Sequence, residues 1–394
     1  MKPMNAQEMQ LTYPFGEALP ELGTTLEIAP GLRWLRMLLP FQLDHINLWL
    51  LRDRIDGVDG WSIVDCGITN DATRAAWETI FANELEGLPV LRVIVTHMHP
   101  DHMGLAHWLT ERWTVVGREV RLWVSATDYQ AARMASSGIA SIGGEATARF
   151  MANHGLTDEE SQTRIKARTN YYASMVPQLP SSYRRLLDGD VLEIGGRDWR
   201  CHVGYGHAPE HMSLHCATTA APEAPAAPAP VGHKEAHGRD PWGVPGLGAA
   251  RRPGGTLISG DMVLPRISTN VSVHEGEPEG DPLSLYLASI KRMKALPEDT
   301  LVLPSHGRPF RGLHTRVDQL VAHHDERFAD VLRACAEAPQ HAADLLMLLF
   351  RRKLDLHQTT FAMGESVAHL NALWLAGRLA RKLDADGIYR FTTA

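Results

Sequence analysis

Apolar residues recur along this chain in two rhythms, short runs of strand type and longer stretches of helix type. Residues 31–66 carry three runs, LRWLRMLLP, INLWLLRD and WSIVDC, the last after the turn at 56–60. They predict an antiparallel meander. Residues 70–84 predict a helix, with Asn70 or Asp71 as its cap and Ala75, Trp77, Ile80 and Phe81 on one face. LRVIV (91–95) reads as a buried strand, and residues 104–113 as the helix that follows it. Between RLWVS and DVLEIGG, residues 126–185 form a helix-prone polar insertion. CHVGY, TLIS and TLVLP are three more strand-type runs, each followed by Gly, Pro or a polar turn. Residues 281–296 predict a helix capped by Asp281, with Pro282 in its first turn and Leu283, Tyr286, Leu287, Ile290 and Met293 on one face.

From about residue 316 the rhythm turns helical. VDQLVAHHDERFADVLRACAE, ADLLMLLFRRKL and ESVAHLNALWLAGRLARKLD predict three helices, and GIYRFTTA a terminal strand. This divides the chain into a body of residues 1–315 and a small tail of residues 316–394. Residues 217–255 fit neither rhythm. Ala, Pro and Gly dominate there, too little apolar surface to offset the entropy of ordering, so a disordered hairpin extension is expected. His233 and His237 inside it are read as solvated.

Composition narrows the class. Of 394 residues, 44% are hydrophobic and 22% charged, ordinary for a globular enzyme. With 39 basic against 46 acidic residues, the net charge of −7 argues against a nucleic-acid partner. Four cysteines suggest free thiols in a reducing, cytoplasmic setting. No stretch approaches the roughly 18 apolar residues of a membrane span, and no membrane partner is expected.

The densest chemistry is Thr96-His97-Met98-His99-Pro100-Asp101-His102, directly after the buried strand. His97 and His99 can reach one metal ion, Asp101 and His102 a second. Three further donors stand just past strand-type runs: His207, Asp261 and His306. Five imidazoles and two carboxylates suit two divalent ions, zinc first, with iron or manganese also fitting.

The strings THMHPDH, GHAPEH, SGD and PSHG, in this order, resemble the metallo-β-lactamase superfamily over about residues 25–315, and WSIVDCG (61–67) resembles the strand that ends in a supporting Asp, here Asp65. The resemblance implies an α+β fold, a four-layer αβ/βα sandwich. It implies His97, His99 and His207 on one ion, Asp101, His102 and His306 on the other, and Asp261 bridging. Branches that hydrolyse β-lactams usually carry Cys among these ligands or lack the bridging Asp. Here Asp261 is kept, and Cys201 and Cys216 match no ligand position. The layout is similar to glyoxalase-II-like, lactamase-β-2-like hydrolases with a winged-helix tail, although Met98 departs from the His-His-His run of glyoxalase II.

The implied activity is hydrolysis of a small acyl thioester. A hydroxide shared by the ions attacks the carbonyl and Asp101 moves its proton. A lactone or ester hydrolase and a nuclease for single-stranded RNA are the alternatives. Asp65 and His211 either fix ligand imidazoles or cap ordinary turns. The insertion either caps the metals or only packs on the sandwich. Tyr171 and Tyr172 within it, with Arg266 and Asn270 after Asp261, are the candidate substrate contacts. The third tail helix is rich in Leu, Ala and Trp, so core packing or a homodimer contact is expected of it in preference to base reading.

Overall fold

The computed structural model describes residues 4–41, 43–138, 143–218 and 254–394. The Ala/Pro/Gly extension, with His233 and His237, falls almost wholly outside them.

A seven-stranded sheet is laid down first. Its strands are β1 (Leu26–Ala29), β2 (Leu32–Leu38), β3 (His45–Ile55), β4 (Val58–Val64), β5 (Val90–Ile94), β6 (Arg121–Val124) and β7 (Tyr183–Arg185), in spatial order of sequence. The meander β1–β4 is antiparallel as expected, and β4 to β7 are parallel. Parallel neighbours need crossovers, and helices supply them. These are α1 (Asp71–Asn83), α2 (Pro100–Met103), α3 (Ala106–Trp113) and α4 (Ala126–Ser136), then α5 (Gly144–Asn153), α6 (Glu159–Lys166) and α7 (Tyr171–Met175). The insertion thus ends in a strand, β7, which its polar sequence does not announce. Asn70 caps α1 by accepting the Thr73 N–H.

A second sheet runs in the order β12-β11-β10-β9-β8, from β8 (Val191–Ile194), β9 (Arg197–Gly204), β10 (His211–Cys216), β11 (Thr256–Gly260) and β12 (Leu301–Pro304). The helix α8 (Pro282–Arg292) covers it, capped by Asp281. Side-chain alternation makes both faces of each sheet apolar. Trp34 and Trp49 pair across β2 and β3 and point between the sheets, where Trp199, Leu214 and Ile258 meet them. Leu35, Leu48 and Leu50 point the other way, onto Trp77 and Ile80 of α1, Leu109 of α3 and Tyr129 of α4. The outer face of the second sheet packs Leu257 and Val302 against Tyr286 and Ile290 of α8. The layers run helix, sheet, sheet, helix, as the four-layer sandwich requires.

The C-terminal region contains α9 (Leu313–Glu337), a 3-10 turn at Ala342–Leu345, α10 (Leu346–Phe350), α11 (Leu356–Leu375), and a hairpin of β13 (Leu379–Leu383) with β14 (Tyr389–Thr393). Two expectations change. The second tail helix stops at Arg351, which turns left-handed (φ 49°). The third stops at Leu375, so LARKL, expected within its last turns, is a strand instead. Gly377 makes that turn at φ 70°, a conformation Gly adopts without a Cβ clash. Val317, Leu320, Val367, Leu370 and Leu373 join the same apolar cluster as Leu257 and Val302. Among the described residues, no helix is long and apolar enough to cross a membrane.

Candidate metal centre

All the motif loops leave one edge of the sandwich. Strands β4 and β5 are parallel, as are β11 and β12, so each pair ends side by side. Two backbone bonds tie the sheets together there: Met212 N–H to Thr96 O at 2.7 Å, and Asn47 N–H to Ser305 O at 2.7 Å. β5 ends at Ile94 and Pro100 opens α2, so Asp101 and His102 rise from its single turn while His97 and His99 lie on the bend before it.

The side chains form two adjoining groups: His97, His99, His207 and Asp261, then Asp101, His102 and His306, the donor atoms of each within 4.8 Å of one another. His97 Nε2 lies 2.9 Å from His99 Nδ1 and 3.2 Å from His207 Nε2. His306 Nε2 lies 3.4 Å from Asp101 Oδ2. Asp261 joins the groups. Its Oδ2 is 3.3 Å from His207 Nε2, and its Oδ1 is 3.6 Å from His102 Nε2 and 3.5 Å from His306 Nε2.

Four of the five imidazoles are held from behind, which fixes both tautomer and aim. His102 Nδ1 lies 2.8 Å from Asp65 Oδ2. His207 Nδ1 donates to Asn270 O and His306 Nδ1 to His45 O, each at 2.7 Å. Asp65 also takes the Thr96 N–H at 2.8 Å, and Thr96 Oγ1 stands 3.0 Å from His97 Nδ1. Asp65 adopts φ 63°, a left-handed conformation that costs a non-glycine residue about 1–2 kcal/mol. His211 Nε2 accepts the backbone N–H of Asp261 at 3.0 Å.

Electrostatics divides the two groups. Burial and neighbouring imidazoles keep His97 far below the usual histidine range, and burial with His207 brings His99 to about 3. Both are neutral and offer lone pairs. Burial would lower His102 and His306 too, but the carboxylates of Asp101 and Asp261, joined at His102 by Asp65, outweigh it and hold both well above the ordinary value. Those imidazoliums in turn keep Asp101 and Asp261 below the carboxylate range, against burial. Among the described residues, buried His102 Nε2 and Asp261 Oδ1 have no hydrogen-bond partner. Such orphaned atoms are costly unless something takes their lone pairs. A divalent cation that displaces the His102 and His306 protons does so. The donor set fits metal.

The chain matches the family model described as Metallo-beta-lactamase superfamily over residues 42–218, and that described as Metallo-beta-lactamase-like, C-terminal domain, over residues 328–394. It is 50% identical to a crystallised beta-lactamase domain protein from Burkholderia ambifaria, covering 99% of this chain and 100% of that one, with a TM-score of 0.84. This chain belongs to the metallo-beta-lactamase superfamily. A metallo-beta-lactamase family protein from Thermus thermophilus is 25% identical over 93% of this chain and 100% of its own, with a TM-score of 0.66. A probable metallo-hydrolase, YqjP, from Bacillus subtilis (strain 168) is 22% identical over 90% of this chain and 96% of its own.

Of the sequence candidates, the seven proposed donors, Asp65 and His211 come together at one site. The substrate candidates scatter. Tyr172 is buried and its hydroxyl donates to Met98 O, while its neighbour Tyr171 stays half-buried. Asn270 serves His207 through its carbonyl, and its side chain meets Ser272 and Glu365. Arg266 turns to Glu8, 3.4 Å away. Sequence reasoning missed three supports. Thr96 ties Asp65 to His97 and His102. Asp128 accepts the N–H groups of Met98 and Glu210, joining two ligand loops, and burial pushes its carboxyl up to about 6. Glu365 of α11, buried, is raised to about 7 by burial and lies 3.3 Å from Asn270 Nδ2. Ser125-x-x-Asp128 is visible as a helix cap, but a cap alone carries no hint of those loops.

Proposed function

We propose that the chain is a binuclear metal-dependent hydrolase of a small acyl thioester. The observation that carries this reading is Asp261, which turns one carboxylate oxygen to His207 and the other to His102 and His306. His97, His99 and His207 hold one ion, Asp101, His102 and His306 the other. Zinc suits this mixture of imidazole and carboxylate, and iron or manganese fits as well. When bound, the ions supply hydroxide near neutral pH and polarise the substrate carbonyl. Asp101 orients the attacking water and accepts its proton, within reach of His306. Asp65 and Thr96 fix the His102 and His97 rings. His211 holds the Asp261 backbone in place. A thiolate departs without a proton, so the departing group asks for no general acid.

A screen on metal-replete protein tests this reading, with acyl-glutathiones, acyl-CoAs, lactones and single-stranded RNA as substrates. Hydrolysis of at least one acyl thioester is expected, with no RNA cleavage above an Asp101→Ala control. Salt-sensitive RNA cleavage that disappears with the metals, beside inert thioesters, would refute it.

A further inference from the structure

Three segments that support the metal-centre residues also meet at a second point, the ring of His357. One is the loop after β2, which leads into His45, the residue whose carbonyl holds His306. Another is the stretch from α6 to α7, where Tyr172 is bonded to Met98 between two ligand histidines. The last is α11, where Glu365 contacts the Asn270 residue that anchors His207. The His357 ring stacks on Phe41 with centroids 5.8 Å apart, and lies 5.9 Å from Tyr171 and 5.0 Å from Phe361. Arg168 Nη2 is 3.3 Å from His357 Nδ1, and its guanidinium lies 5.0 Å from the Tyr171 ring centre. Tyr171 directly precedes Tyr172, whose hydroxyl donates to Met98 O between His97 and His99. The cluster therefore stands at the rim of the metal centre.

Two features mark this rim as unfinished. Phe41 and Phe361 are 36% and 41% exposed, large apolar faces beside a polar site. Arg168 is half-buried, and none of the described carboxylates lies within ion-pairing distance of it. A partly desolvated guanidinium against aromatic rings binds an anion strongly and reads its planar shape.

We propose that Phe41, Tyr171, His357, Phe361 and Arg168 form the substrate-selecting rim, where the aromatic faces take an apolar arm of the substrate and Arg168 takes a carboxylate at its end. A single guanidinium matches the single charge of a carboxylate. The assignment rests on the hydrolase reading above, because it places the scissile carbonyl at the metals and the anionic end at the rim.

Binding of simple acids separates the two ideas. Metal-replete protein is titrated by calorimetry with α,ω-dicarboxylates from succinate to suberate, and with the monocarboxylates of equal length. One carboxylate stands in for the hydrolysis product at the metal centre, and the second reports on Arg168. At least one diacid is expected to bind about tenfold more tightly than its monoacid, the margin of one charge-assisted pair. Arg168→Gln should erase that margin while leaving monoacid affinity unchanged, and Phe361→Ala should weaken both acids together. Equal binding of diacids and monoacids by the unaltered protein overturns the proposal, whatever the variants do. So does a margin that survives in Arg168→Gln. A diacid margin lost in Arg168→Gln, with every thioester inert, keeps the rim and rejects the reaction. Thioester hydrolysis without any diacid margin does the reverse.

Discussion

Asp261 faces two donor groups at once, so a change there should reach both. Asp261→Ala removes the shared ligand and touches little of the apolar core. Turnover of any substrate found for the protein should fall by at least about a hundredfold. Steady-state kinetics at equal metal loading checks this, and near-normal turnover would reduce Asp261 to a turn residue. Glu365 tests electrostatics away from the ligands. Burial raises its carboxyl from 4.5 to about 7, so the folded protein binds a proton there that the unfolded chain releases. Stability should therefore fall as pH rises from about 4.5 to about 7 and stay level above. Glu365→Gln has no such slope. Urea melts at pH 5 and pH 7.5 should show the variant gaining on the unaltered protein at the higher pH, and a constant difference would contradict the shift. At this level the donor cluster was legible in the sequence because four of its seven residues lie within six positions and the others follow strand-type runs. Their supports were not. Asn270 and His45 act through backbone carbonyls, which leave no mark on residue type, and Thr96 becomes special only when Asp65 arrives from another strand.

The elements most exposed to a small change are the short helices of the metal loop. Gly104 joins α2 to α3 and sits against the 67–69 turn. A Cβ there would lie 2.6 Å from Gly67 O and 2.8 Å from Thr69 N, both backbone atoms that cannot step aside alone. Gly104→Ala should cost about 1–3 kcal/mol, the usual penalty for overpacking, and shift Asp101 and His102 with α2. Denaturant melts read the first effect and metal competition with a chelator the second. A variant as stable and as tightly metallated as the parent would show that this packing tolerates the methyl. Strands and capped helices were readable where both period and punctuation were present, as in α1 with Asn70 and α8 with Asp281. Boundaries were misread where the period continued past the real stop. Leu379 extends an apolar helical spacing from Leu375, yet Gly377 reverses the chain and Leu379 belongs to β13. Strand β7 escaped notice because only three polar residues, YRR, form it, and they are recruited by pairing with β6.

Across the whole molecule, the four layers bury one core between the sheets and one outside each of them, and the outer core of the second sheet continues into α9 and α11. The tail is thus part of what fixes the metal edge, because α11 carries Glu365 to Asn270 and His357 to the rim. The sandwich was legible through the family resemblance that the ordered motifs carry, which implies that their strand ends share an edge. The reach of the tail was not, since nothing in a helix's period says which loop its polar face will touch. Residue, element and sandwich all bear on one proposed property, that the edge takes two cations. Elemental analysis of gently purified protein, repeated after reconstitution with zinc, iron or manganese, measures it directly. Close to two equivalents per chain are expected, held by five imidazoles and two carboxylates. A content that stays at one equivalent or below after reconstitution would contradict the binuclear centre.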